Sequence, residues 1–239
     1  NPYFRLAFEK RPAEELYDVT VDPFNVKNLA SEKEYANILS KMRTDNRNVI
    51  LQSKDAGFIP EAIKVSISET STIFEFARSD QYPLVRILET AEMASSLNAD
   101  FTDKIIERLR DENPIVRYWA ALGCCILKPV SKEAKSALIK LLKDDETVVR
   151  IMASEALWHL GEKTLILPVL TEALESDNMY ARLEAVTALE VMGQDAGSSM
   201  PALSQMISKR EDIKLKNAPT WKLEHDIKIA KQLVKKLSD

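Results

Sequence analysis

The residues of this chain best suited to chemistry are two adjacent cysteines, Cys124 and Cys125, two histidines, His159 and His225, and an acidic pair, Asp144 and Asp145. A cysteine thiolate is a nucleophile and a soft-metal ligand. Paired carboxylates hold hard divalent cations. An imidazole moves protons near neutral pH. The spacing assembles none of these devices. Neighbouring cysteine side chains diverge and do not close on each other as a disulfide. On a helix they read as small apolar packing residues. His159 stands beside Trp158, and His225 lies far downstream near the C-terminus. No His-Glu-x-x-His and no glycine-rich phosphate loop occurs. Nothing points to a Ser–His–Asp triad. Asp144 and Asp145 read as a turn that caps the helix after it.

A second set of polar residues is periodic. Arg86, Arg117, Arg150 and Arg182 are separated by 31, 33 and 32 residues. Pro83-Leu84-Val85, Pro114-Ile115-Val116, Thr147-Val148-Val149 and Met179-Tyr180-Ala181 precede them in the same slot. An acidic residue stands five or six places before each: Asp80, Asp111, Asp144 with Asp145, and Asp177. Ala120, Ala153 and Ala185 lie three places after the last three arginines, and Leu109, Leu142 and Leu174 eight places before them. Gly161 and Gly193 fall eleven places after Arg150 and Arg182, where a helix should end.

The elements that position these residues follow from the period. Each unit reads as helix, acidic turn, helix. Ser131 is an N-cap, and Asn113 before Pro114 is a cap with Pro at the first helical position. Two helices in about 30–40 residues make an α-solenoid. Over residues 70–208 the pattern resembles the short HEAT-like repeat family, in which a turn Asp and a second-helix Arg recur. The resemblance implies that Asp111, Arg117, Asp144, Arg150, Asp177, Arg182 and Arg86 form a structural ladder between adjacent repeats rather than a substrate clamp. Tyr118, Trp119, Trp158 and Tyr180 lie on or near the second helices, which in such solenoids line the concave face; core and inter-repeat packing is the simpler reading. Beyond residue 202 the consensus fades. Leu203, Met206 and Ile207 suggest a first helix, Asp212 to Pro219 a loop, and Trp221 to Leu237 an amphipathic capping helix.

The first sixty residues read differently. Phe4, Leu6 and Phe8 alternate and predict a half-buried strand from Tyr3 to Glu9. Glu15 to Val19 predicts a second short strand, giving an antiparallel hairpin. Val21-Asp22-Pro23-Phe24 is a turn. Ser31 with Glu34 reads as a capping box for a helix beginning near Glu32, with Tyr35, Ile38, Leu39 and Met42 on one face, running to about Leu51. Asp55 to Pro60 breaks it. Residues 63–70 alternate and read as a link to the repeats.

Within this segment the motif Glu15-Leu16-Tyr17-Asp18, with Asp22-Pro23 and Asn28-Leu29-Ala30, resembles the C-terminal end of the catalytic domain of sulfatases, closest to the heparan N-sulfatase-like branch. Val19 and Asn25 depart mildly from that pattern. The resemblance covers residues 1–62. It implies a small sheet with a packed helix, and a structural motif rather than a catalytic one. It further implies an upstream catalytic domain as partner, hydrolysing sulfate esters or N-sulfates, on glycosaminoglycans among others. That family uses Ca²⁺ and a formylglycine made from Cys or Ser in Cys/Ser-x-Pro/Ala-x-Arg. Here Cys124 and Cys125 are followed by Ile126-Leu127-Lys128, and Ser199-Met200-Pro201-Ala202-Leu203 has Leu where Arg is needed. This chain therefore carries no catalytic, cofactor-binding or metal residues of its own. Localisation by resemblance is periplasmic or extracellular.

The expected fold is mainly α: residues 1–62 a hairpin and helix, residues 63–239 a HEAT-like solenoid with a C-terminal capping helix. Composition agrees with a helical globular chain, with 45% hydrophobic residues and only 5 Gly. The net charge of −4 argues against general nucleic-acid binding. No apolar run is long enough to cross a membrane. No signal peptide is visible, and the chain opens on Asn1 rather than Met, which reads as a piece of a longer polypeptide or a processed fragment. Lys209, Arg210, Lys214, Lys216, Lys222, Lys228, Lys231, Lys235 and Lys236 make the last stretch basic. They give the solenoid a surface that could meet a sulfated glycan, against the simpler reading of a solvated cap. A protein on the solenoid face is the other candidate ligand. The alternative to a sulfatase tail is a stand-alone HEAT-repeat scaffold that binds a protein partner.

Overall fold

The structure, a computed structural model, describes residues 2–129, 131–216 and 225–238. It divides into two compact units, residues 1–55 and 56–239. Every regular element among the described residues is helical.

The first unit holds α1 (Pro2–Phe8) and α2 (Ala36–Ser53), joined by a long irregular segment. The expected hairpin is absent: Tyr3 to Phe8 is helix, and Glu15 to Val19 is irregular. The alternation of Phe4 and Phe8 is ambiguous, because spacing four also places them on one helical face. There their rings meet with centroids 4.8 Å apart. The capping box at Ser31 does not form either. The chain enters α2 through a short 3-10 turn, Lys33–Tyr35, with Glu32 at the N-cap and no side-chain cap. Leu16, Leu29 and Leu39 make a small core, with Ala30 and Tyr35 against it.

The second unit begins with α3 (Glu61–Ser68), where the sequence reads as an alternating link. Its alternation conceals Ile63 and Ile67, one helical turn apart. The short α4 (Ile73–Phe76) carries a true capping box, Thr72 with Glu75. Then come α5 (Leu84–Ser95), α6 (Thr102–Arg108), α7 (Pro114–Leu127), α8 (Lys132–Leu141), α9 (Thr147–His159), α10 (Leu167–Ala173), α11 (Met179–Met192), α12 (Met200–Lys216) and α13 (His225–Ser238). Residues 212–216, expected to open a loop, continue α12. Of the expected capping helix, Trp221 to Glu224 lie outside the described residues, and α13 begins at His225.

The helices α5, α7, α9, α11 and α13 pack on one another as one layer, and α6, α8, α10 and α12 cover it. Ala120, Ala153 and Ala185 are fully buried, so consecutive second helices approach closely without a bulky side chain between them. Asn113 and Asn178 cap α7 and α11 by accepting from two backbone N–H groups each, and Ser131 caps α8. Every second helix of the four arginine units is followed by a residue of positive φ eleven places after its arginine: Leu97 (φ 57°), Lys128 (φ 50°), Gly161 (φ 85°) and Gly193 (φ 56°). Glycine takes this conformation without cost, and two of the four units manage without it.

Candidate functional site

The arginine slots come first, because they set the spacing of everything else. In three repeats the guanidinium ties down its own turn: Arg117 Nη1 donates to the carbonyls of Asp111 and Glu112 (both 2.9 Å), Arg150 Nη1 to those of Asp144 (2.7 Å) and Asp145 (3.3 Å), and Arg182 Nη1 to those of Ser176 (2.8 Å) and Asp177 (3.0 Å). The other edge of each guanidinium faces the next repeat. Arg86 lies 3.4 Å from Asp111 and 3.0 Å from the exposed Glu112. Arg117 grips Asp144 with two parallel bonds, 2.6 and 2.9 Å, the forked geometry that makes such pairs strong.

The third step differs. Arg150 reaches Glu172 at 3.8 Å, an exposed carboxylate, rather than Asp177. The reason is register. Asp80, Asp111 and Asp144 stand six places before their arginines, but Asp177 stands five before Arg182. The sixth place there is Ser176. Its hydroxyl accepts from the Asn178 N–H at 3.2 Å, as the Asp111 and Asp144 carboxylates accept from Asn113 and Glu146 (2.9 and 3.0 Å). Serine thus keeps the turn but offers no charge. Asp177 points into solvent, fully exposed, 3.7 Å from Arg210.

Arg182 finds its carboxylate on the terminal helix. Its Nε donates to Asp226 Oδ2 at 2.8 Å, with the two side chains 1% and 0% exposed. Asp226 is missed from sequence because Gln232 stands where the repeat's arginine belongs, which hides the register. Burial lowers the Arg182 pKa, and the hydrogen bond it donates to Asp226 opposes this.

The cysteines are inert. Both are buried, and burial pushes the Cys124 thiol up to about 12 and the Cys125 thiol well above its usual value. Cys125 Sγ sits 3.7 Å from the Met152 carbonyl. Among the described residues no group of three or more His, Cys, Asp and Glu could hold a metal ion. Asp144 and Asp145 part company: one is a rung, and the other contributes its carbonyl to Arg150.

The second-helix layer carries a polar cluster that sequence left unremarked. Burial, and then the nearby Glu155, raises the Glu184 carboxyl to about 7. Glu155 is raised by burial as well. Tyr118 is raised chiefly by burial, with Glu184 next. His159 lies 4.0 Å from Glu155 and is lowered by burial, then by Lys128. The thiol beside this cluster, Cys125, is itself raised by burial and then by Glu155, which keeps it protonated. The aromatic residues nearby are tied into the fold. Trp158 Nε1 donates to Asp195 at 3.0 Å, and Trp119 Nε1 to the Phe58 carbonyl at 2.8 Å, while Tyr180 is half-buried at the start of α11.

That last tryptophan bond anchors a strap. Residues 56–68 lie against the second helices: Phe58 packs on Trp119 with ring centroids 6.2 Å apart, Ile59, Ala62 and Ile63 are buried, and Asn178 Nδ2 donates to the Ala62 carbonyl at 2.8 Å.

In the first unit the motif residues build a loop. Leu16 N–H donates to Asn28 Oδ1 (2.9 Å) and Leu29 N–H to the Leu16 carbonyl (2.7 Å), while Asn28 Nδ2 donates to the Glu14 carbonyl (3.0 Å). Asp18 accepts from the Thr20 N–H and hydroxyl, which holds its carboxyl below the usual range. Asp22 Oδ2 accepts from the Val26 and Lys27 N–H groups, and Pro23 sits inside that turn. Glu15 pairs with Arg11 at 2.7 Å, and Tyr17 is half-buried beside it.

Several described cations of the basic C-terminal stretch are paired or buried. Lys209 pairs with Glu175 (3.1 Å), Lys231 with Glu211 and Lys236 with Glu190 (both 2.5 Å), and Arg210 is buried. Lys222 and the side chains of Lys214 and Lys216 lie outside the described residues.

The family model for HEAT repeats matches residues 70–158, 102–190 and 136–223, three overlapping windows that together span more than half of the 239 residues. No curated protein and no solved structure matches the chain significantly. With the paired helices, the repeated turn and the arginine slots in phase across those windows, the chain belongs to the HEAT-repeat family.

Proposed function

We propose that this chain is a non-catalytic scaffold, a binding and spacing module rather than an enzyme. The observation that carries this reading is the employment of its reactive side chains. The thiols are buried, the arginines hold turns, and the indoles of Trp119 and Trp158 hold the strap and Asp195. Membership of the HEAT-repeat family supports it, since stacked helix pairs offer extended surfaces to partners. Incubation of the purified chain with a chromogenic sulfate ester and with sulfated oligosaccharides, with and without Ca²⁺, should give no turnover. Any turnover that Ca²⁺ accelerates and chelation abolishes would overturn the reading.

A second, finer reading is that the scaffold belongs to a sulfatase, attached after its catalytic domain and working in the periplasm or outside the cell. The motif from Arg11 to Ala30 supports it. So does the surface of the first unit, where Phe4, Phe8, Phe24, Met42 and Val49 are exposed, an apolar display that ordinarily meets another surface. On this reading formylglycine and Ca²⁺ reside in the catalytic domain. The reading frame upstream of the Asn1 codon tests it directly. An in-frame Cys/Ser-x-Pro/Ala-x-Arg preceded by an Asp-Asp pair is the expected result. A start codon with no such motif before it would leave the scaffold standing alone.

A further inference from the structure

A cavity of about 400 Å³ opens between α3 and the turns that precede α5, α7 and α9. Its apolar walls come from Ile63 and Ile67 of the strap, Phe76, and Ile115. Its charged lining is Asp80, Glu112 and Glu146 against one guanidinium, Arg86. That guanidinium is partly engaged: its Nη2 donates to Glu112 at 3.0 Å, and its Nε lies 3.4 Å from Asp111 without a hydrogen bond. The lining itself thus carries three carboxylates and one guanidinium beside an apolar wall, with Arg117 and Arg150 near enough to Glu146 to offset part of its charge.

Glu146 is the residue that breaks the repeat's rule. The same slot holds Asn113 and Asn178 in the neighbouring repeats, and both cap their helices. Glu146 occupies the N-cap of α9 without capping it, and its half-buried side chain lines the cavity instead. Burial raises its carboxyl, with Asp144 the next cause, and Arg117 and Arg150 oppose the rise. Giving up a helix cap costs about 1 kcal/mol. A desolvated carboxylate gains most from an added cation.

We propose that this cavity receives a basic side chain, lysine or arginine, presented by a partner protein. The aliphatic stem would lie along Ile63, Ile67 and Phe76, as such stems do on apolar surfaces. The charged head would sit among Glu146, Asp80 and Glu112. The inference rests on the scaffold reading only for the existence of a partner. The cavity itself is tested without one.

The probe is Nα-acetyl-lysine N-methylamide, followed by the methyl resonances of Ile63, Ile67 and Ile115 in the full chain. Its norleucine and glutamate counterparts serve as neutral and anionic controls. Saturable shifts should appear with the lysine compound, binding about fivefold more weakly with norleucine and not at all with glutamate. Glu146→Gln should bring the lysine compound down to the norleucine level while leaving the free-state spectrum otherwise intact. Equal binding of the lysine and norleucine compounds, or no saturation by any, would overturn the proposal. So would saturation by hexylammonium without the lysine compound, because the cavity would then take a free amine rather than a side chain on a peptide.

Discussion

Arg117 and Arg150 occupy the same slot and differ in what they hold. Arg117 is 15% exposed and forks onto Asp144, itself 4% exposed. Removing it strands a buried carboxylate, so Arg117→Ala should cost about 2–4 kcal/mol in urea unfolding. Arg150→Ala loses carbonyl contacts and a 3.8 Å approach to an exposed glutamate, and should cost about 1 kcal/mol. Equal losses would dismiss the forked pair as the difference. Glu184 supplies a second test. Its raised pKa means that the native chain keeps a proton that the unfolded chain releases near 4.5. Stability should then decline as pH climbs from about 4.5 to about 7, by something on the order of 2 kcal/mol, and level off above. Glu184→Gln should flatten that decline. Parallel stability curves for the two proteins between pH 5 and 8 would reassign the titration to another group.

Much of the element scale was legible in sequence, and the failures have physical causes. The repeat period, the caps at Asn113 and Ser131, and the breaks at Gly161 and Gly193 all stand in the structure. The equivalent breaks at Leu97 and Lys128 were invisible, because left-handed backbone is read from glycine and these residues adopt it at a cost. Lys128→Gly should therefore stabilise the chain by about 0.5–1 kcal/mol, seen as a higher unfolding midpoint with unchanged slope. A lower midpoint would mean that the lysine side chain contributes more than its backbone loses. Short alternating stretches misled twice, at residues 3–9 and 63–70, since spacing four fits a helix as well as a strand. The ladder failed at Asp177 for a subtler reason: a one-residue shift in the turn is negligible in a pattern of acidic residues and decisive for where a carboxylate points.

At the scale of the whole molecule, the two units differ in how they are held. The first has three buried leucines and a clipped loop, so it should exchange its amides faster than the second. In the second unit the strap is the element with the longest reach in sequence. Trp119→Phe removes the donor to the Phe58 carbonyl and keeps an aromatic ring. Amide exchange across residues 58–64 should quicken by about fivefold, with the core of α7 unaffected. Unchanged exchange there would show that ring packing alone fixes the strap.

The missing rung at Ser176 acquires a mechanical meaning beside that strap. At the joint between α9 and α11 the helices pack less intimately, and no buried carboxylate meets the arginine of the turn. The strap is fastened to Trp119 on one side of that joint and to Asn178 on the other. It works as a splint. Stretched end to end, the array should yield first at this joint, and only after the splint lets go.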